Sequence, residues 1–359
     1  MDFALSEEQQ FLQSTVSDYL AANCTLDRVR DCVKDFQTTD PNLTEGLVAL
    51  GVPGVVIPEE FGGTELGYLE AALIAEALGG SIAPFPFIGT SVIAPYLITH
   101  AGSDEQRASL LPKITTGEIQ FGIAFTESIG RRVTNPTQAN DGRLSGEQTF
   151  VIDGSDCELI LISTEGGEVF VVESPAVERE ELKSIDRTRS LTRVKLDNTP
   201  CEVLPGTVDD PTLLSHALDI GRIMIAADTL GAAQTMLDKS VEYAGERKQF
   251  NRVIGSFQAV KHMCAEMAAE LEPCRSLVWY AAHSVLAIPS ETHLVACHAK
   301  AHLAEVGQFV ARKSTEVHGG MGFTDLLGLH YWFKRIGLNR QLLGTPDQVR
   351  EEAAQAQGW

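Results

Sequence analysis

The strongest constraint on this chain is a change in the spacing of its apolar residues, from helical to strand-like and back. Residues 1 to about 118 carry helical spacing. Ser6 with Gln9 fits a capping box, an amphipathic stretch follows through Phe11 and Leu20, and Leu66, Leu69, Leu73 and Ala77 recur about one turn apart. Between these, the short apolar run 48–58 breaks at Glu59-Glu60-Phe61-Gly62-Gly63. From about 119 to 207, short strand-like runs take over at 121–125, 148–152, 159–163, 169–173 and 194–196, with turns at Asp141-Gly142 and Glu165-Gly166-Gly167. From about 208 the helical period returns. Ile220, Met224, Ala227, Leu230, Leu237, Val241 and Ala244 form one stripe, and Val260, Cys264, Met267, Leu271, Cys274 and Val278 alternate by four and three. Ser256 is the expected N-cap of that second helix, Pro273 an expected kink, and a third helix is expected over 290–318. The predicted class is α+β: an N-terminal α-helical domain over 1–118, a middle β-barrel or sandwich domain over 119–207, and a C-terminal four-helix bundle over 208–359.

Charge narrows the partners. A formal net charge of -21 opposes a nucleic-acid surface and gives no support for an anionic membrane. The acidic start, Met1-Asp2-Phe3-Ala4-Leu5-Ser6-Glu7-Glu8, lacks the apolar core of a secretory leader, and no apolar run is long enough to span a bilayer. A cytoplasmic location is expected. The seven Cys are scattered with no Cys-x-x-Cys pair, so neither a disulfide framework nor a zinc site is expected. His298 and His302 lie four apart on one helix face without an evident third ligand, and read as solvated or packed; no metal site is expected. The aromatic and basic run Leu329-His330-Tyr331-Trp332-Phe333-Lys334-Arg335 reads as an inter-subunit helix contact, since the global charge opposes nucleic acid.

Several short motifs occur in a definite order: Val56-Ile57-Pro58-Glu59-Glu60-Phe61-Gly62-Gly63, Leu111-Pro112 with Gly117-Glu118, Phe125-Thr126-Glu127, Asp186 with Thr188-Arg189, Glu246-Arg247-Lys248-Gln249-Phe250, Ser256-Phe257-Gln258-Ala259, and Val317-His318-Gly319-Gly320-Met321-Gly322-Phe323. Together, over nearly the whole chain, they resemble the acyl-CoA dehydrogenase family. The resemblance implies an FAD-dependent oxidoreductase that dehydrogenates a CoA thioester at its α,β carbons, in fatty acid or steroid degradation. It also implies an electron-transferring flavoprotein as acceptor. The FAD pyrophosphate needs an Arg fork or free backbone N–H groups. Arg247 would supply the first, and the Gly319-Gly320-x-Gly322 turn would let backbone approach closely. This glycine cluster follows a helix, not a strand, so it is no Rossmann fingerprint. By resemblance the cofactor-binding residues are Arg247, Phe250, Gln258, Glu316, Gly319, Gly320 and Gly322, and the substrate-binding residues are Arg222 and Thr126. Arg131-Arg132 reads either as a contact to CoA phosphates or as a solvated turn.

The family's reaction needs a carboxylate beside the acidic proton. The resemblance places it at one of two positions, which here hold Leu343 (within Leu342-Leu343-Gly344-Thr345) and Gly221 (before Arg222). Neither can take a proton, so no catalytic residue is identified. Asp219, Asp347, Glu351 and Glu352 lie nearby in sequence and read as surface charges, and Glu127 reads as structural. At the family's flavin-ring segment stand Phe150-Val151-Ile152-Asp153, where Ile152 replaces a Thr hydroxyl. The family's flavin lies between two subunits, and the set that reaches in from the neighbour is retained while the other set is depleted. This favours a heteromer, expected to be a heterotetramer, in which a catalytic acyl-CoA dehydrogenase partner subunit carries the base and this chain completes its FAD site. Two alternatives remain: a self-sufficient homo-oligomeric dehydrogenase with an unrecognised base, and a non-catalytic acyl-CoA-binding scaffold.

Overall fold

A computed structural model describes residues 4–129 and 135–359. Helices α1 (Glu7–Asn23), α2 (Leu26–Lys34), α3 (Pro41–Ala49), α4 (Tyr68–Ser81), α5 (Ala94–Ala101) and α6 (Asp104–Thr115) come first. Strands β1 (Phe121–Ala124), β2 (Gln138–Asn140), β3 (Arg143–Ile152), β4 (Leu159–Ser163), β5 (Val169–Glu173), β6 (Glu178–Glu181), β7 (Leu191–Pro200) and β8 (Glu202–Val203) follow. Then come α7 (Pro205–Asp209), α8 (Thr212–Glu246), the short hairpin β9 (Lys248–Gln249) and β10 (Arg252–Val253), α9 (Gln258–Ala287), α10 (Pro289–His318), α11 (Leu329–Asn339) and α12 (Pro346–Ala356). The order of helical, mixed-sheet and helical regions is the one the apolar spacing predicts. Ser6 and Gln9 do form the capping box that starts α1. Along that helix Leu20 is buried, whereas Phe11 is exposed and is not part of the core.

By their contacts the residues form two compact units. One comprises Met1–Val29, Ala72–Ala83 and Arg222–Trp359; the other comprises Arg30–Ala71 and Pro84–Gly221. In the second unit the strands form one mixed sheet in the order β6-β7-β3-β1-β4-β5-β8, with β2 paired to β3. β1 and β4 run parallel, and the hairpin of β2 and β3 fills the connection that a parallel pair requires. Ala124, Leu144, Val151, Ile160, Ile162, Val172 and Val194 form its core. β6, Glu178-Arg179-Glu180-Glu181, has no apolar alternation, which is why spacing alone does not reveal it. It is an edge strand held by the ladder and by Lys195–Glu178 (2.6 Å) and Arg193–Glu180 (2.9 Å). Exposed charges of this kind also keep an edge from pairing with other chains.

The first unit packs long helices. α4 and α8 cross so closely that a Cβ on Gly231 would stand 1.8 Å from the Glu76 carbonyl oxygen, so only glycine fits there. Arg335 is buried and donates to Asp228 at 3.0 Å and to the Ala83 carbonyl at 3.2 Å. Asn339 donates to the same Asp228 carboxylate at 2.6 Å, and the Trp332 indole donates to the Gly80 carbonyl at 2.8 Å. The segment 329–335 was expected to be an inter-subunit contact. Instead, Leu329, Tyr331, Trp332 and Arg335 are buried in this unit's own core, where the polar tips of Trp332 and Arg335 find internal partners. Glu76 pairs with Arg275, yet burial raises its carboxyl above the ordinary range despite that cation. Ser256 is not the N-cap of α9. Phe257 takes that place and the Ser256 hydroxyl donates to the Val253 carbonyl at 2.7 Å. Pro273 lies inside α9, which is continuous through it. No helix among the described residues is long and apolar enough to cross a membrane.

Candidate functional site

The expected cofactor residues gather at the ends of α8 and α10. Tyr243, in the last turn of α8, stacks on His318, the last residue of α10, with ring centroids 4.6 Å apart. Ser240 donates to Ser314 at 2.8 Å, and Ser314 donates to the Met236 carbonyl at 3.0 Å, tying the two helices together one turn earlier. The segment that leaves α8 and the turn that follows α10 therefore start side by side. Arg247 is the first residue beyond α8. Its N–H donates to the Tyr243 carbonyl at 2.8 Å, its carbonyl accepts from Ile254 at 2.7 Å, and its side chain is exposed. Phe250 sits between β9 and β10 with φ 51° and is 86% exposed. Its ring meets Phe257 edge-on at 6.0 Å, and Arg252 lies 3.9 Å over the other ring. Gln258 opens α9 and is exposed.

The glycine turn is a single tight turn over Gly319–Phe323. Gly319 has φ 58° and ψ -138°, a conformation essentially closed to other residues. A Cβ on Gly322 would fall 2.9 Å from the Thr315 carbonyl oxygen, so this glycine is required by packing. Gly320 has open space where a Cβ would be, and both it and Gly319 are exposed. Glu316 is exposed and pairs with Lys313 at 3.3 Å. Beyond the turn, Phe323 and Leu326 are largely exposed. His318 is held by burial below its ordinary pKa of 6.5, helped by the Lys239 charge, although its Nδ1 lies 2.7 Å from the Ser314 carbonyl oxygen. An exposed guanidinium and open backbone at one bundle end suit a pyrophosphate, which is the fit a flavin dinucleotide needs here.

The sheet unit treats its expected residues differently. Thr126 is buried and its hydroxyl donates to the Thr149 carbonyl, which binds it to β3. The Glu127 carboxylate accepts from the Thr137 N–H at 2.7 Å and from the Gln148 amide at 3.0 Å. Ile152 is buried and opposes Ile123 in the sheet, so that position presents no hydroxyl to a ring. Phe150 is half-exposed with φ 58°. Arg131-Arg132 lies outside the described residues.

At the positions where the family's base would stand, Leu343 is buried with φ 53° and Gly221 lies within α8. Arg222 is buried and forms a bidentate pair with Glu352, with Nη1–Oε2 at 2.6 Å and Nη2–Oε1 at 2.9 Å. Its Nε donates to the Leu343 carbonyl at 2.9 Å. Glu352 and Asp219 are thus not surface charges. The first is engaged by Arg222, and the second is buried, where with Asp210 it adds to the burial that lifts the Tyr96 hydroxyl to about 12. Asp347 and Glu351 are exposed, as expected. His298 and His302 are exposed as well. Glu352 escapes a sequence reading because its partner Arg222 lies 130 residues away. The one available signal is that Glu352 falls two helical turns after the cap of α12.

Comparison with known proteins fixes the class. The family model "Acyl-CoA dehydrogenase, N-terminal domain" matches residues 6–118, and "Acyl-CoA dehydrogenase, C-terminal domain" matches 212–357. The chain is 30% identical to the acyl-CoA dehydrogenase IpdE2 of Mycolicibacterium smegmatis over 98% of its length and 99% of that protein's. Among solved structures it resembles a chain of the ChsE4-ChsE5 complex from Mycobacterium tuberculosis, with TM-score 0.90 and 26% identity over 100% of this chain and 99% of that one. It likewise resembles a chain of the Tcur3481-Tcur3483 steroid ACAD, with TM-score 0.88 and 26% identity over 98% of each. The fold, the two matched domains and the ordered motifs define an acyl-CoA dehydrogenase-type flavoprotein. This chain belongs to the acyl-CoA dehydrogenase family, whose members are FAD-dependent oxidoreductases acting on a CH–CH bond of acyl-CoA thioesters.

Proposed function

We propose that this chain is the supporting subunit of a heteromeric acyl-CoA dehydrogenase and completes the FAD site of a catalytic partner. The observation that carries this reading is a contrast between two sets of family positions. Leu343 and Gly221 stand where a base is needed, whereas Arg247, Phe250, Gln258, Gly319 and Gly320 are exposed. Exposed Phe250, Phe323 and Leu326 beside them supply the apolar area that a subunit contact covers. A bound FAD supplies hydride acceptance. On this reading Arg247 and the glycine turn hold its pyrophosphate, and the partner removes the proton. Two relatives point the same way: one solved structure is a ChsE4-ChsE5 complex, and another is described as a steroid ACAD of two named chains. The proposed substrate class is a bulky, steroid-derived CoA thioester, with an electron-transferring flavoprotein as acceptor.

The test is FAD per chain by absorbance, for the chain purified alone and after co-expression with a dehydrogenase-like partner. Little flavin alone and about one FAD per pair of chains in the complex supports the reading. One FAD per chain in the isolated protein, bleached by acyl-CoA, overturns it in favour of a self-sufficient enzyme.

A further inference from the structure

All three nitrogens of the Arg222 guanidinium are engaged inside this chain. Nη1 and Nη2 grip Glu352, Nη1 also lies 3.6 Å from the Cys297 sulfur, and Nε donates to the Leu343 carbonyl at 2.9 Å. One residue further on, the buried Lys300 ammonium donates to the Gly344 carbonyl at 3.0 Å and to the Arg340 carbonyl at 3.2 Å. The backbone of Leu343-Gly344 is therefore held by two buried cations through consecutive carbonyls, with Leu343 at φ 53° and Gly344 at φ 112°. Glu352 reaches this point because α12 is placed twice. Thr345 and Gln348 form its capping box, and Val349 and Ala353 pack on Cys297 and Ala301 of α10. The Arg222 side chain is 2% exposed and that of Glu352 is 32% exposed, so solvent meets the carboxylate and not the guanidinium.

We propose that Glu352 is a positioning residue: with Arg222 and Lys300 it clamps the backbone of the segment where the family's base would stand, and Arg222 does not bind acyl-CoA in this chain. A bidentate carboxylate already satisfies the guanidinium, and an anionic ligand would have to displace it. Removing the carboxylate leaves a buried cation without its counter-charge, which a fold resists strongly. The clamp keeps the base-bearing turn in shape although the residue at its tip is Leu. This inference rests on the supporting-subunit reading, in which this chain does not itself act on the thioester.

The full-length chain is examined by hydrogen exchange, and the co-expressed complex by calorimetric titration with coenzyme A itself. Glu352→Gln and Arg222→Gln each raise exchange of the Leu343–Thr345 amides about tenfold or more, while amides in the middle of α10 are unchanged. The double variant adds little to either single one, because both break one clamp. Glu352→Asp, which keeps the charge, restores most of the protection. Coenzyme A affinity of the complex stays within about twofold of wild type for Arg222→Gln. Unchanged exchange in Glu352→Gln overturns the clamp. A tenfold or greater loss of coenzyme A affinity in Arg222→Gln, with Leu343–Thr345 still protected, returns Arg222 to the substrate. If Arg222→Gln does not fold, Glu352→Gln, at a side chain that reaches solvent, still decides. The FAD stoichiometry can fail while the exchange result stands, so the two readings are separable.

Discussion

Arg247 and Arg222 belong to the same helical unit, and the fold handles them in opposite ways. Arg222 is buried with each nitrogen engaged, so its charge serves the chain that carries it. Arg247 stands beyond the end of α8 with its guanidinium exposed, beside a hairpin whose Phe250 is exposed too. The difference teaches that burial, not residue type, decides whether an arginine is spent inside the chain or left available outside it. A buried cation demands a local counter-charge, and here the internal carboxylate of Glu352 supplies it. An exposed cation carries no such demand, because water solvates it, so it stays available to a ligand or partner outside the chain.

The comparison breaks most visibly at the sealed core. Arg335→Ala should cost about 3–5 kcal/mol in denaturant unfolding, because it leaves buried Asp228 without its cation. A loss no larger than that of a surface change would mean the buried pairs are not what holds α11 in place. Gly319→Ala comes next. It imposes strain of about 1–3 kcal/mol at φ 58° and should also lower the flavin content of the co-expressed complex. Gly320→Ala serves as its control, since open space awaits a Cβ there, and it should leave stability nearly unaltered.

A smaller effect is expected from pH. His318 is held below its ordinary pKa of 6.5, so the folded chain binds its proton less readily than the unfolded one. Its contribution to stability is complete above pH 6.5 and is lost as pH falls from there through the folded value. His318→Phe, which keeps a ring against Tyr243, should flatten that part of the stability–pH curve, leaving the share due to His100, also lowered by burial. A curve identical to wild type in that window would show that His318 titrates normally. The smallest effect on stability is the sharpest on function. Arg247→Ala should shift unfolding by no more than about 0.5 kcal/mol while the complex loses much of its FAD by absorbance. Full flavin in that variant would favour the scaffold alternative.

Much of the architecture was legible because it rests on local rules. β4 and β5 fall on the runs expected, since Leu159–Ser163 and Val169–Glu173 are apolar and bounded by turn residues. α10 ends at His318, where the glycines begin. What was not legible had no local signature. β6 is all charge and becomes a strand because β7 offers a ladder. The aromatic and basic run of α11 looks like a surface until Gly80, Ala83 and Asp228 arrive to take up its polar tips.

The sequence by itself determined the order of helical and sheet regions, the family, and the absence of a proton carrier at Leu343 and Gly221. Each of these is a property of residue type or of spacing along the chain. Only the tertiary structure decided which charges are buried and with whom. Arg222 and Glu352 are 130 residues apart, and Arg335 and Asp228 are 107 apart. Whether such a charge faces water or another side chain depends on packing that brings distant helices together, and no local pattern encodes that meeting.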